Sequence, residues 1–321
     1  MRMGPLTPID AETLATVTVT FNPDLPLLEA QLRALPATCI KVIVDNASRP
    51  ELFAAVRSLA NGVPNARVFR NDVNLGLAAA INRGVHALSE LKPAPTYVLL
   101  LDQDSEPQPC SVESLLGAFE AIEAGGQKVG CVGPALRDPD TGLTHGFHQC
   151  TRWRWKRVYP PIGSTTPVEC ANLNGSGTLV PIGLFLQLGG LDEAFFIDHV
   201  DTEWAFRVLA AGYTLWGIPN AVFDHRMGQA SMRFWWFGWR VWPLRSPQRH
   251  YYLFRNAVAL MQRPYVPTVW KAWALAKLIL AAVVYGLRDG RRREQLCQMW
   301  SGARAVFNQS DRGSVDRTII H

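Results

Sequence analysis

The chain has 321 residues, 48% of them hydrophobic and 18% charged, with a net charge of +5. Such a composition excludes a disordered chain and can bury one large core or two modest ones. The mild positive charge does not demand nucleic acid, and no aromatic–basic RNA motif or helix-turn-helix signature is present. The six cysteines, Cys39, Cys110, Cys131, Cys150, Cys170 and Cys297, form no Cys-x-x-Cys pair, which argues against zinc. Residues 1–12 carry no apolar targeting core. The expectation is therefore a cytoplasmic protein with reduced, mostly buried thiols.

The β-branched run 16–21 predicts a first strand, stopped by Asn22 and Pro23. Apolar spacing over 25–35 predicts a helix. Residues 41–45 read as a second strand ending in Asp45, and 51–59 as a helix. Residues 66–69 read as a third strand. A helix over 77–88 follows, opened by Asn74 and Gly76. The wholly apolar run 97–101 predicts a buried fourth strand that ends abruptly in Asp102 and Asp104. Strands alternating with helices imply a doubly wound, mostly parallel sheet. Asn22, Asp45, Asn71 and Asp102 then stand in a row at the strand ends, where open α/β sheets bind ligands.

Asp102 and Asp104 are one residue apart, so an extended chain puts both carboxylates on one side. They repel each other unless a cation or a donor joins them. Hard divalent cations take oxygen ligands and share them with phosphates. The pair reads either as a Mg²⁺ or Mn²⁺ site for a nucleotide diphosphate or as a solvated turn.

Beyond Ser105 the pattern is less regular. Residues 130–136 read as a strand and 169–180 resume strand character. The segment 145–167, rich in Trp, Arg and Pro, reads as a long loop. Glycines in Asn174-Gly-Ser-Gly177 either admit a substrate to the backbone or form a bulge. A second acidic cluster holds Asp198, His199, Asp201 and Glu203 at the start of a helix over 201–209. A carboxylate beside the aromatic run before it has a raised pKa and can act as a general base. His225 follows another strand and either completes a metal site or is structural.

Taken together, Thr20-Phe-Asn-Pro23, Val44-Asp-Asn-Ala-Ser48, Asn71-Asp-Val-Asn-Leu-Gly76, Asp102-Gln-Asp-Ser105, Asp192-Glu-Ala-Phe-Phe196, Asp198-His-Val-Asp-Thr-Glu-Trp204 and Arg249-His-Tyr-Tyr-Leu-Phe-Arg-Asn256 resemble a family 2 glycosyltransferase of the GT-A fold. The subgroup it resembles is that of the bacterial L-rhamnosyltransferases. The resemblance implies a glycosyltransferase domain over 1–260, with a nucleotide-sugar half (14–105) and an acceptor half (106–260). It implies that Thr20, Phe21, Asn22 and Pro23 line the base pocket and that Asp45, with Asn46, holds the pyrimidine or ribose. Asn71, Asn74 and Gly76 would shape the diphosphate crevice. Asp102 and Gln103 would contact the ribose or donor sugar. Asp104, with His225, would bind Mg²⁺ or Mn²⁺. Asp201 matches the catalytic aspartate, although Val200 stands where the family commonly has Glu. Asn174, Asp198, His199, Glu203, Trp204 and Arg255 would meet the acceptor or the donor sugar. The implied reaction is inverting transfer of L-rhamnose from dTDP-β-L-rhamnose to a glycolipid or lipid-linked saccharide.

The Trp- and Arg-rich segment 233–245 suits a membrane interface, a sugar platform or a buried helix contact. Residues 270–287 are apolar, but Lys271 and Lys277 interrupt them. The clean run 278–287 is too short to span about 30 Å of hydrocarbon. With Arg288 and Arg291 to Arg293 following, 261–321 reads as a helical, basic region. It is expected to be peripheral on an anionic membrane at the inner face of the cell membrane.

Overall fold

The computed structural model describes residues 10, 12–225, 231–235, 239–243, 245–288 and 290–315. The chain divides into two units, one of residues 1–149, 156–196 and 200–226, the other of 150–155, 197–199 and 227–321. The second unit thus takes in 227–260 as well as the expected C-terminal region.

The first unit begins with β1 (Leu14–Thr20), α1 (Leu25–Ala34), β2 (Ile40–Asp45), α2 (Pro50–Asn61), β3 (Ala66–Arg70), α3 (Leu77–Ser89) and β4 (Tyr97–Asp102). Then come β5 (Ser105–Pro107), α4 (Ser111–Ala124), β6 (Val129–Arg137), β7 (Phe147–Cys150), β8 (Trp155–Val158), β9 (Val168–Cys170), β10 (Thr178–Pro181), α5 (Ile182–Gln187), α6 (Val200–Ala210) and β11 (Thr214–His225). The sheet runs β3-β2-β1-β4-β10-β6-β11-β5, with β9 beside β11. β1, β2, β3 and β4 are parallel, as the alternating pattern requires.

Two expectations are corrected. The segment 145–167 is not all loop, because β7 and β8 pair as a small two-stranded sheet. The strand expected over 169–180 is split into β9 and β10. β10 runs antiparallel between β4 and β6 within the mostly parallel sheet that was expected.

Local chemistry sets the element ends. Asp24 accepts the Leu27 N–H and so caps α1, with proline in the first turn. Gly76, at φ +89°, precedes α3. A side chain there would be strained and would also meet Phe196, whose backbone and ring lie 2.6–2.9 Å from the Cβ position. The core under α1 and α4 joins Leu14, Leu28, Ile43, Leu99, Phe119, Leu179 and Phe223. Burying each such side chain contributes about 1.5–3 kcal/mol.

The second unit has a hairpin of β12 (Ser231–Trp235) and β13 (Trp239–Pro243), then α7 (Pro247–Met261), α8 (Thr268–Arg288) and α9 (Arg292–Val315). The tryptophan-rich segment 233–245 falls partly outside the described residues. Phe254, Ala257, Leu278, Ala281, Tyr285 and Met299 form a second core. The clean run 278–287 belongs to a longer helix, and residues 268–287 are long and apolar enough to cross a membrane by length and composition.

Candidate active site

β4 carries Asp102 to its carboxyl end, and a tight turn leads into β5. The turn is fixed from beneath by Gln31, a fully buried residue of α1. Its Nε2 donates to the carbonyls of Asp102 (2.5 Å) and Ser105 (2.7 Å), and its Oε1 accepts the Thr18 hydroxyl at 2.9 Å. The Gln103 side chain is half-buried and anchored. Its Oε1 accepts the Phe21 N–H at 2.8 Å and ties β1 to the turn.

Antiparallel pairing of β11 with β5 sets His225 opposite Ser105. The Ser105 hydroxyl and His225 Nδ1 are 2.8 Å apart, and Asp104 Oδ1 lies 3.5 Å from the same nitrogen. Ligand atoms of Asp102, Asp104 and His225 all lie within 4.8 Å of one another. Two carboxylates and an imidazole oriented by a serine suit a small divalent cation that leaves positions for phosphate oxygens. Ser176 extends the set, with its hydroxyl hydrogen-bonded to Ser105 and accepting the Asp102 N–H at 3.2 Å.

Asp201 stands in the first turn of α6. Its Oδ1 accepts the Thr202 N–H (2.8 Å) and hydroxyl (3.3 Å), and its Oδ2 accepts the Gly175 N–H at 3.3 Å. Burial pushes this carboxyl up to about 6, and the charge of Asp102 adds to the rise against those hydrogen bonds. A carboxylate so raised is a stronger base than an ordinary one yet stays ionised at neutral pH. Asn174 lines a cavity with His145, Asn172 and Ser176, next to the loop that holds Asp201. Asn172 reaches Thr202 at 3.4 Å.

The remaining nucleotide-side residues form a scaffold. Asp45 has no exposed surface, so a direct contact to pyrimidine or ribose meets a carboxylate turned inward. It accepts the Thr20 hydroxyl (3.1 Å) and the Ser48 N–H (3.0 Å). Ser48 in turn accepts the Asn22 N–H at 2.8 Å. Asn46 Nδ2 donates to Asn74 Oδ1 (2.8 Å), and Asn71 Nδ2 donates to Asn46 Oδ1 (2.9 Å). Asn74 Oδ1 also accepts the Gly76 N–H at 2.9 Å. Phe21 keeps an exposed ring and Pro23 is buried.

Glu203 and Trp204 are also turned inward. Glu203 is buried and pairs twice with Arg207, at 2.9 and 2.6 Å. Trp204 packs on Phe185 with ring centroids 5.1 Å apart. These residues hold α6 in place, a role their helical spacing does not distinguish from sugar contact.

Asp198, His199 and Arg255 belong to the second unit. Asp198 and His199 are consecutive left-handed residues, at φ +61° and +63°, which is uncommon for residues with side chains. The Asn256 amide holds this turn through the Ile197 (2.6 Å) and Asp198 (2.9 Å) carbonyls. Asp198 pairs with Arg245 at 2.7 Å and Arg249 at 3.2 Å. Burial pushes its carboxyl up, but the two guanidinium groups prevail and hold it below the ordinary value. Burial takes His199 down to about 4, so the ring is neutral, edge-on to Trp270 at 5.6 Å. Arg255 stacks over Tyr252 at 5.0 Å. Ser105, Ser176 and Thr202 lie inside the motifs, but sequence assigns them no role of their own, and Gln31 lies outside every motif. A polar letter by itself does not tell which backbone or side-chain group it holds.

The model of glycosyl transferase family 2 matches residues 28–163. The dTDP-rhamnosyl transferase RfbF of Shigella flexneri is 29% identical over 252 residues, covering 78% of this chain and 80% of that protein. The N-acetylglucosaminyl-diphospho-decaprenol L-rhamnosyltransferase of Mycobacterium tuberculosis is 28% identical over 251 residues, 69% of this chain and 78% of that one. Among solved structures, a mannosyltransferase of Pyrobaculum calidifontis in complex with GDP-Man and Mn²⁺ superposes with a TM-score of 0.55 at 16% identity, covering 96% of this chain and 91% of that chain. GalNAc-T7 with UDP, GalNAc and Mn²⁺ gives 0.53 at 17% identity; the match covers 87% of this chain but 58% of that longer one. These structural matches bear on the fold.

Proposed function

We propose that the chain, whose residues 28–163 match the model of glycosyl transferase family 2, is a hexosyltransferase of the GT-A fold that transfers L-rhamnose from dTDP-β-L-rhamnose to a lipid-linked saccharide, with inversion. The rhamnosyl donor is supported by the names of both rhamnosyltransferase relatives, and the acceptor class by the decaprenol-linked substrate in the mycobacterial one. The observation that carries the chemistry is the placement of Asp201, with its raised pKa, in the same unit as Asp102, Asp104 and His225.

On this reading Asp201 accepts the proton of the acceptor hydroxyl while that oxygen attacks the anomeric carbon. The new carbon–oxygen bond forms as the bond to the diphosphate breaks, and dTDP leaves. In-line displacement of a β-linked donor gives an α-L-rhamnoside and needs no covalent sugar–enzyme intermediate. Asp201 must come within about 3 Å of the acceptor oxygen. Asp102, Asp104 and His225 would hold Mg²⁺ or Mn²⁺, which supplies positive charge to the departing diphosphate. Ser105, Ser176 and Gln31 keep those ligands oriented. The exposed Phe21 ring at the end of β1 offers a stacking face for the base, while Asp45, Asn46, Asn71, Asn74 and Gly76 shape the loops around it. Asp198, His199 and Arg255, which belong to the second unit, are assigned to the acceptor. The working location is the cytoplasmic face of the cell membrane, where a soluble donor meets a lipid-borne acceptor.

The test is to run the reaction with dTDP-β-L-rhamnose and a short-chain N-acetylglucosaminyl-diphospho-polyprenol, then read the anomeric configuration by NMR. An α-L-rhamnosyl product supports the reading. A β-L-rhamnosyl product would overturn inversion.

A further inference from the structure

Helix α8 is largely apolar, and among the described residues one of its faces is exposed. Its inner face buries Trp270, Ala274, Leu278, Ala281 and Tyr285. Its outer face presents Ala272, Leu275, Ala276, Ile279, Leu280, Val283 and Leu287, all exposed. Steps of three and four align these on one stripe. The larger five keep between 47 and 76% of their surface open. The stripe continues onto α9, where Leu296, Trp300 and Phe307 are exposed. The two helices meet there, since a Cβ on Gly286 would lie 3.5 Å from the Leu296 side chain. A patch of this extent on a soluble surface marks an interaction site.

Charge identifies the occupant. Residues 245–307 hold eleven Lys or Arg and two Asp or Glu, against a whole-chain excess of five. Arg291, Arg292 and Arg293 are exposed just beyond the stripe, and Lys277 is exposed beside it. A second copy of this surface would bring the same charge and be repelled. An anionic lipid surface satisfies both the stripe and its cationic border.

Residues 268–287 have the length and apolarity to span a bilayer. Their inner face, however, packs against polar neighbours. His250 Nδ1 lies 2.6 Å from Gln295 Oε1, and Gln295 Nε2 donates to the Arg245 carbonyl at 3.1 Å. The Arg245 N–H donates to the Tyr285 hydroxyl at 3.2 Å. Spanning would carry this network and the arginines of α7 and α9 into hydrocarbon or strip it from α8. We infer that the outer face of α8, with Leu296, Trp300 and Phe307 of α9, is a docking surface that lies in the plane of an anionic membrane. The inference deepens the proposed function, on which it rests for the lipid-linked acceptor; the surface itself is tested separately.

The experiment is co-sedimentation of the whole chain with phosphatidylcholine vesicles, with and without phosphatidylglycerol. Binding is expected to be at least about ten-fold stronger with phosphatidylglycerol and to weaken in high salt. The triple variant Leu275→Glu, Ile279→Glu, Val283→Glu is expected to stay in the supernatant, and Arg291→Gln, Arg292→Gln, Arg293→Gln to bind weakly and with less salt dependence. Serine at the same three apolar positions gives a milder version in case the glutamates unfold the helix. The inference is overturned if wild type ignores phosphatidylglycerol vesicles or if both apolar variants bind like wild type. It is also overturned if high salt and alkali fail to release the chain from membranes, which would mean spanning, or if wild type forms a dimer that the variants dissolve. Mn²⁺-dependent dTDP-rhamnose binding, measured on the same samples without lipid, reports the proposed function independently.

Discussion

The buried Gln31 amide donates to the Asp102 carbonyl at 2.5 Å across 71 residues of sequence. One helix side chain thereby fixes the turn that presents Asp102 and Asp104. Replacing Gln31 with Leu removes the donor for two carbonyls and the acceptor for the Thr18 hydroxyl. The expected cost is about 1–3 kcal/mol of stability, with weaker Mn²⁺-dependent donor binding. Denaturant unfolding and calorimetry read the two effects, and wild-type values in both would contradict the role given to Gln31.

Asp201→Asn is expected to lower kcat by about 10²–10⁴-fold while donor affinity stays unchanged. The same substitution has a stability consequence. A carboxyl raised from 3.8 to about 6 in the fold gives stability that is fully present below pH 3.8 and lost as pH rises through about 6. At neutral pH wild type bears the cost of the buried charge and the Asn variant does not. The inactive variant should therefore melt higher than wild type at pH 8. Full turnover by Asp201→Asn would remove it from the mechanism.

The base is lost by protonation as pH falls through about 6. The rate should thus drop about ten-fold per pH unit below that point, as for one essential base. Asp198, held below the ordinary carboxylate value by Arg245 and Arg249, stays ionised across this range. Asp198→Asn should keep the acidic limb in the same place even where it lowers the rate. Loss or displacement of the limb in that variant would make Asp198 the base instead.

Asp104→Ala and His225→Ala are each expected to weaken metal-dependent donor binding by more than about ten-fold. Titrating Mn²⁺ into protein with dTDP, followed by calorimetry, checks both. Unchanged metal titration in either variant would remove that residue from the metal set.

The nucleotide half was legible because its signals are local. Buried parallel strands such as β4 are unbroken apolar runs, and α1 and α3 carry helical spacing between them. The antiparallel insertion of β10 between β4 and β6 was not legible. Strand order depends on contacts far apart in sequence, and β10 has only four residues. β7 and β8 are equally short, and Trp155-Lys-Arg-Val158 has no clean alternation to separate it from a loop. α4 begins after Cys110 at φ +63°, without a side-chain cap to announce it. At the site, Asp102, Asp104 and Asp201 stood out by charge against apolar surroundings. The partners that set their chemistry did not. Gln31, Ser176 and the arginines on Asp198 lie 47 to 74 residues away from what they hold.

The most direct test of the central claim is a calorimetric donor comparison with Mn²⁺ present, using dTDP-rhamnose, UDP-glucose, UDP-galactofuranose and GDP-mannose. Selective binding of dTDP-rhamnose that disappears when Mn²⁺ is chelated is the expected result. Preference for a UDP- or GDP-sugar, or dTDP-rhamnose binding indifferent to chelation, would contradict it.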